Sequence, residues 1–266
     1  MEVKAVNGTK EWAVHNENFL IGCSHDCSYC FAKAMSVRFK RKTQDDWKNV
    51  EIIEKKFNKR QKKYKGGRVM FPSSHDILPE FIDQSVSFMK NLLDYDNDLL
   101  VVSKPHLECI KKICSEFPDF KNKILFRFTI GSPKETVLKY WEPGAPSPKE
   151  RLESLKYAYS SGFSTSISIE PMLDNLEQIK VLIDLCLPYV TDAIWIGKPN
   201  RMQSRLTLNG KPPSVDKKLL EFSKWYSDLE IRRLYKSYKT NPKIKWKESI
   251  KKIVGIKIST VKGADR

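Results

Sequence analysis

No stretch of the 266-residue chain approaches the ~18 consecutive apolar residues of a membrane span, and no apolar segment of the kind that leads a secreted protein opens it. Both absences point to the cytoplasm. A disulfide framework is also missing, because a chain of this length with 40% hydrophobic residues can bury a core without covalent staples. Cys109 and Cys114 lie five apart in one expected helix and Cys186 lies in another, so they read as small buried hydrophobes. The chain has no internal repeat and no second paired knuckle, C-x2-C or H-x3-H, of the type that completes a zinc module.

What is present is concentrated in one loop, Cys23-Ser24-His25-Asp26-Cys27-Ser28-Tyr29-Cys30, directly after Phe19-Leu20-Ile21. Three thiolates from a tight loop can hold three irons of a [4Fe–4S] cube, whereas a fourth would close it as an electron carrier. The competing zinc site would need His25, two residues from both Cys23 and Cys27, as its fourth ligand, which makes a cramped tetrahedron. The C-x3-C-x-aromatic-C spacing resembles that of the radical S-adenosylmethionine (SAM) enzymes. The resemblance implies that SAM chelates the open iron and that an external electron donor supplies the electron that cleaves it. Methionine and a 5′-deoxyadenosyl radical result. It also implies that Tyr29 and Phe31 flank the adenine.

Short β-rich runs alternate with helical patterns. Strands are expected at 18–22, 68–71, 99–103, 124–130, 164–169 and 193–197, and helices at 31–41, 77–93, 106–117, 148–161 and 176–187. Six strand–helix units predict an α/β fold with a parallel sheet, matching the partial (β/α)6 TIM-like barrel that the resemblance implies. The barrel is expected over residues 1–200, with a basic insertion at about 42–67. A basic, α-rich C-terminal extension follows over 201–266, after the Asn209-Gly210-Lys211-Pro212-Pro213 connection. It holds a helix near 214–239 and a last strand at 253–258 that ends in a frayed tail.

Four segments narrow the resemblance to the spore photoproduct lyase-like branch, over residues 17 to 200. Ser73-Ser74-His75-Asp76 is similar to its turn after the second strand and implies Ser73, Ser74 and Asp76 at the SAM amino group; read alone, it caps a helix starting near Pro79. Val101-Val102-Ser103-Lys104 is similar to a Thr-Lys-Ser strand end. The segment from Glu142-Pro143 through Ala145-Pro146-Ser147 to Arg151-Leu152 is similar to E-P-x-A-P-S-x-x-x-R-L, although Ser147, Pro148 and Glu150 alone make a helix start. Ser168-Ile169-Glu170-Pro171 ends a strand as in that branch. Lys104, Arg127 and Thr129 are candidates for the methionine carboxylate and ribose, and Glu170 and Trp195 for the substrate side. Where the lyases carry a hydrogen-donating cysteine this chain has Ser73, whose O–H is a poorer donor.

The net charge is +16, and two stretches, Lys33–Lys65 and Lys217–Lys257, each carry 13 Lys/Arg against 4 Asp/Glu. Together they exceed the whole chain's charge, so the positive charge is localised. Tyrosine and tryptophan interleave with it, the footprint of a DNA or RNA partner, although Lys-rich helices are also ordinary solvated faces. The expected function is a radical SAM enzyme acting on a nucleic-acid base. The alternatives are a peptide or small-molecule substrate, or a nucleic-acid-binding iron–sulfur sensor without turnover.

Overall fold

The computed structural model describes residues 5–211 and 216–264. Its strands are β1 (His15–Asn16), β2 (Leu20–Ile21), β3 (Glu51–Ile52), β4 (Val69–Phe71), β5 (Leu99–Ser103), β6 (Ile124–Thr129), β7 (Ser164–Ile169), β8 (Ile194–Ile196) and β9 (Ile244–Trp246). Seven of them form one all-parallel sheet in the order β1-β4-β5-β6-β7-β8-β9. Parallel strands need crossover connections, and helices Ile82–Asp94, Leu107–Glu116, Pro148–Ser160 and Leu176–Cys186 supply them. The sheet is the open barrel expected, with one strand more.

Strand alternation sorts the core. Phe71, Val101, Phe126, Phe128, Ile167 and Ile196 pack against the helices, while Met70, Leu100, Leu125 and Trp195 form a separate interior cluster with Trp12. The N-terminal segment spans the gap between β1 and β9. Lys247, just after β9, donates to the Gly8 carbonyl at 2.8 Å and pairs with Glu11 at 2.8 Å, and Trp12 meets Trp195 edge-on at 6.0 Å.

Four expectations change. The run at 18–22 is not the first strand of the main sheet: His15–Asn16 is, and Leu20–Ile21 pairs antiparallel with Glu51–Ile52 inside the basic insertion. The segment 253–258 is not a strand. Helix Glu248–Val254 runs through its start and stops at Gly255, whose φ of +80° suits a left-handed C-terminal cap, while the seventh strand comes from Ile244–Trp246. The helix expected near 214–239 is two, Asp216–Trp225 and Asp228–Tyr238, the second capped by Ser227 accepting from the Glu230 N–H at 3.4 Å; Ser214 and Val215, like Pro212, Pro213 and the tail's Asp265 and Arg266, lie outside the described residues. Finally, Ser73–Asp76 does not cap a helix, since Leu78 is still extended and the chain turns helical only at Pro79.

His75 sits in the core between Phe19 and Phe71, accepting from the Phe19 N–H at 3.3 Å and facing the Asp76 carbonyl at 2.9 Å. Burial lowers its pKa to about 4. The unfolded chain therefore binds a proton that the folded one refuses, and the stability His75 allows is complete above about pH 6.5 and lost as the pH falls toward 4. The loss should approach about 3 kcal/mol. Urea titrations at pH 7 and pH 4.5 should show a smaller acid loss in His75→Gln than in the wild type; equal losses would contradict the assignment.

Candidate functional site

The loop 23–30 is clamped from every side. The Cys23 N–H donates to the Trp47 carbonyl (3.1 Å), the Ser28 N–H to Trp141 (2.7 Å) and the Gly144 N–H to His25 (3.0 Å). A Cβ at Gly144 would lie 2.2 Å from the Ser24 carbonyl oxygen, so only glycine allows this approach. Gly22, at φ +97°, brings the chain close to the Trp47 carbonyl, whose oxygen would lie 2.8 Å from a Cβ there. From the far end of the sequence, Asn209 donates its amide to the Ser28 and Cys30 carbonyls at 2.9 and 3.1 Å.

Behind the loop, Glu142 and Arg151 form a fully buried ion pair at 2.5 Å. The Tyr29 hydroxyl donates to Glu142, and Arg151 also donates to the Pro146 and Thr129 carbonyls at 2.9 and 3.0 Å. The Glu142–Leu152 segment is therefore a brace for the cysteine loop. Its helix-start reading holds as well, with Ser147 accepting from the Glu150 N–H at 3.2 Å; the Glu150 carboxylate instead accepts from the Leu107 N–H at 3.0 Å.

A second network ties the loop to the strand ends. Asp76 accepts from the Ser103 hydroxyl (2.5 Å), the Lys104 N–H (3.0 Å) and the Ile77 N–H (2.8 Å), and faces His25 at 3.3 Å. Burial disfavours its charge, but His25, Lys104 and the Ser103 hydrogen bond together hold its carboxyl well below the usual range. His25 continues to His106, 2.9 Å away. Lys104 is surrounded by Cys27, Glu142 and Asp76, and although burial opposes its charge these groups raise its pKa above that of an ordinary lysine.

The three thiols are free. Burial pushes Cys27 up to about 12 and raises Cys23 and Cys30, so a metal must displace their protons on binding. Backbone N–H groups already point at Cys23 and Cys30. The His25 N–H faces Cys23, and the Cys30 sulfur caps helix Phe31–Arg38, accepting from the Lys33 N–H at 3.3 Å. Hydrogen bonds to sulfur of this kind tune iron–sulfur clusters. Three free thiols on one loop, with no fourth cysteine beside them, are the donor chemistry of an iron–sulfur cluster that keeps one iron open.

A family model for the radical SAM superfamily matches residues 18–186. The chain belongs to the radical SAM superfamily. Among curated relatives, "uncharacterized protein ORF301" of Acidianus two-tailed virus is 26% identical over 243 residues, covering 82% of this chain and 78% of the relative. "Uncharacterized protein MJ0683" of Methanocaldococcus jannaschii is 25% identical over 190 residues, covering 70% and 71%. Among solved structures, a doubly substituted spore photoproduct lyase with bound AdoMet and dinucleoside spore photoproduct aligns with a TM-score of 0.54 and 13% identity, over 92% of this chain and 79% of that one. Streptococcus suis SuiB bound to its precursor peptide SuiA aligns at 0.55 and 12%, over 97% and 55%. These likenesses show the shared fold.

For this radical SAM chain, topology brings Ser73, Ser74, Lys104, Thr129 and Glu170 to the carboxyl ends of their strands, where such barrels bind ligands. The loop bearing Tyr29 and Phe31 is tied to that end through Asp76 and the Thr129–Arg151 contact. Arg127 is not brought there. It points into the barrel toward the opposite end, bonded to Ser166 and Asp192 at 3.0 Å each and set between Trp12 and Trp195. Trp195 is likewise an interior side chain, 1% exposed. Asp76 arrives with its carboxylate already engaged, and Tyr29 is buried with its hydroxyl on Glu142. Glu170 faces Lys247 at 3.4 Å. Cys109, Cys114 and Cys186 are buried among the outer helices.

Sequence reasoning missed Asn18, whose carboxamide oxygen accepts from the Ser73 and Ser74 N–H groups at 2.7 and 2.8 Å, along with His25 as the link to Asp76, Glu142 and Arg151 as a brace, and Asn209. The EP-x-AP segment did carry a signal for that brace. A lone asparagine carries none.

Proposed function

We propose that this radical SAM enzyme acts on a base of a nucleic acid. Cys23, Cys27 and Cys30 would hold the [4Fe–4S] cluster, which when bound supplies one electron to the SAM sulfonium through its open iron. The chain's own residues set the conditions. The Glu142–Arg151–Tyr29 brace and Asn209 fix the loop, Lys104 offsets thiolate charge beside Cys27, and Asn18 shapes the 73–74 turn whose serines would receive the SAM amino group. Lys104 and the Thr129 region remain candidates for the carboxylate and ribose.

The observation that carries the substrate class is the localised positive charge. The structure also trims it: Lys33 pairs with Asp26 at 2.6 Å, Lys42 with Asp46 and Glu51, and Lys247 is buried between Glu11 and Glu170. The remaining surface cations would neutralise phosphates and release counterions, so binding should weaken steeply with salt. Fluorescence anisotropy with labelled tRNA, single-stranded DNA and duplex DNA should show binding at 50 mM salt that weakens at least tenfold by 200 mM. Absence of binding to all three at low salt would overturn the nucleic-acid reading and leave the SAM chemistry untouched.

A further inference from the structure

Of the chain's 13 phenylalanines, Phe31 and Phe39 alone are strongly exposed, at 58% and 59%. Both stand at the ends of helix Phe31–Arg38, which starts immediately after Cys30. Each ring has guanidinium groups beside it: Arg205 lies 5.4 Å from the Phe31 centroid, and Arg41 and Arg38 lie 5.5 and 5.9 Å from that of Phe39. Burial lowers the Arg205 pKa.

The segments that carry these rings and their arginines hold charge of one sign. Residues 31–44 contain no Asp or Glu, and neither do residues 198–211. The two segments are far apart in sequence but adjacent in space: helix Phe31–Arg38 packs on helix Met202–Leu208, and the Gln44 amide donates to the Leu208 carbonyl at 2.9 Å. Lys33 and Lys42 are used internally. Arg38, Lys40, Arg41, Arg201, Arg205 and Lys211 make no ion pair within 4 Å among the described residues, although Glu170 acts on Arg205 from farther away. The second of these segments lies outside both basic stretches evident from composition, because its cations are sparse and only the missing acids mark it.

Exposed aromatic rings flanked by arginines outside any ion pair, on segments that carry no acid of their own, suit a ligand that has flat π-faces and a repeating anion. Single-stranded nucleic acid is that ligand, since bases stack on aromatic rings whatever their sequence while the backbone follows a positive surface. A duplex hides those base faces. The distance from Phe31 to Phe39 along the helix is about 12 Å, enough for about three nucleotides stacked at 3.4 Å.

We propose, resting on the nucleic-acid reading above, that the face formed by residues 31–41 and 201–211 is a track for unpaired nucleotides, which leads them to the cysteine loop. Phe39 stacks a base at the outer end, and Arg38, Arg41 and Arg205 take phosphates.

The test is anisotropy with fluorescein-labelled 12-nucleotide oligo(dT) and oligo(rU) and a hairpin duplex of matching length, on anaerobically reconstituted full-length protein. Phe39→Ala should weaken single-strand binding about tenfold and leave duplex binding, iron content and SAM cleavage unchanged. Arg38→Glu with Arg41→Glu should weaken it further and flatten the log–log salt slope by about 1.4; being exposed, this variant covers the case in which Phe39→Ala fails to fold. Wild-type binding that survives both variants, or that favours the duplex, would overturn the track while leaving the nucleic-acid substrate standing. No wild-type binding to any of the three probes would instead remove the reading beneath it.

Discussion

Replacing Cys27 with alanine should take anaerobically reconstituted protein from about four iron and four sulfide per chain to near none, with loss of the broad visible absorbance. The expectation rests on the ligand count. Only three thiols stand on the clamped loop, and the other three cysteines are buried among the outer helices, so nothing can replace a lost ligand. His25 is the nearest alternative donor, but its ring is engaged with Asp76 and His106. Full iron retention in the variant would contradict the ligand assignment, as would tightly bound zinc without iron uptake in the wild type.

Arg151→Met should cost the apo-protein about 3–5 kcal/mol, because it leaves the buried Glu142 carboxylate without its counter-ion. Burial disfavours the Glu142 charge, and Arg151 and Lys104 are what keep its pKa below the ordinary value. The size matters because a domain's whole stability is only about 5–15 kcal/mol. Pairing the change with Glu142→Gln removes the orphaned charge and should restore much of the loss. Urea denaturation of the wild type, both single variants and the double variant closes the cycle. A single Arg151→Met cost below about 1 kcal/mol would show that the pair does not brace the loop.

Five of the seven main-sheet strands lay close to where periodicity put them, because β4 to β8 are short runs rich in β-branched, aromatic and other apolar residues with turn signals on either side. The two edges of the sheet were obscured. His15–Asn16 is polar and two residues long, and Ile244-Lys245-Trp246 is a short alternation among lysines, so neither stands out from loop. The helix over 248–254 was hidden by the β-branched run Ile253-Val254, and Gly255 was its only stop signal. At the site, the cysteine spacing is local and therefore legible, whereas the clamps on the loop are contacts over long sequence distances: Asn209 reaches Ser28, and Asp76 reaches His25. Arg127 shows the complementary limit. Alternation puts it on the face opposite Phe126 and Phe128, but which end of the barrel its long side chain reaches is decided by Asp192, 65 residues away.

The central claim is that the cysteine loop holds a cluster with an open iron that cleaves SAM. The measurement that tests it most directly is quantification of 5′-deoxyadenosine and methionine by liquid chromatography with mass detection, after reduction of the reconstituted protein in the presence of SAM. The account predicts both products in equal amounts from the wild type and neither from Cys27→Ala. A fully loaded and reduced wild-type cluster that yields no 5′-deoxyadenosine with any reductant would contradict it.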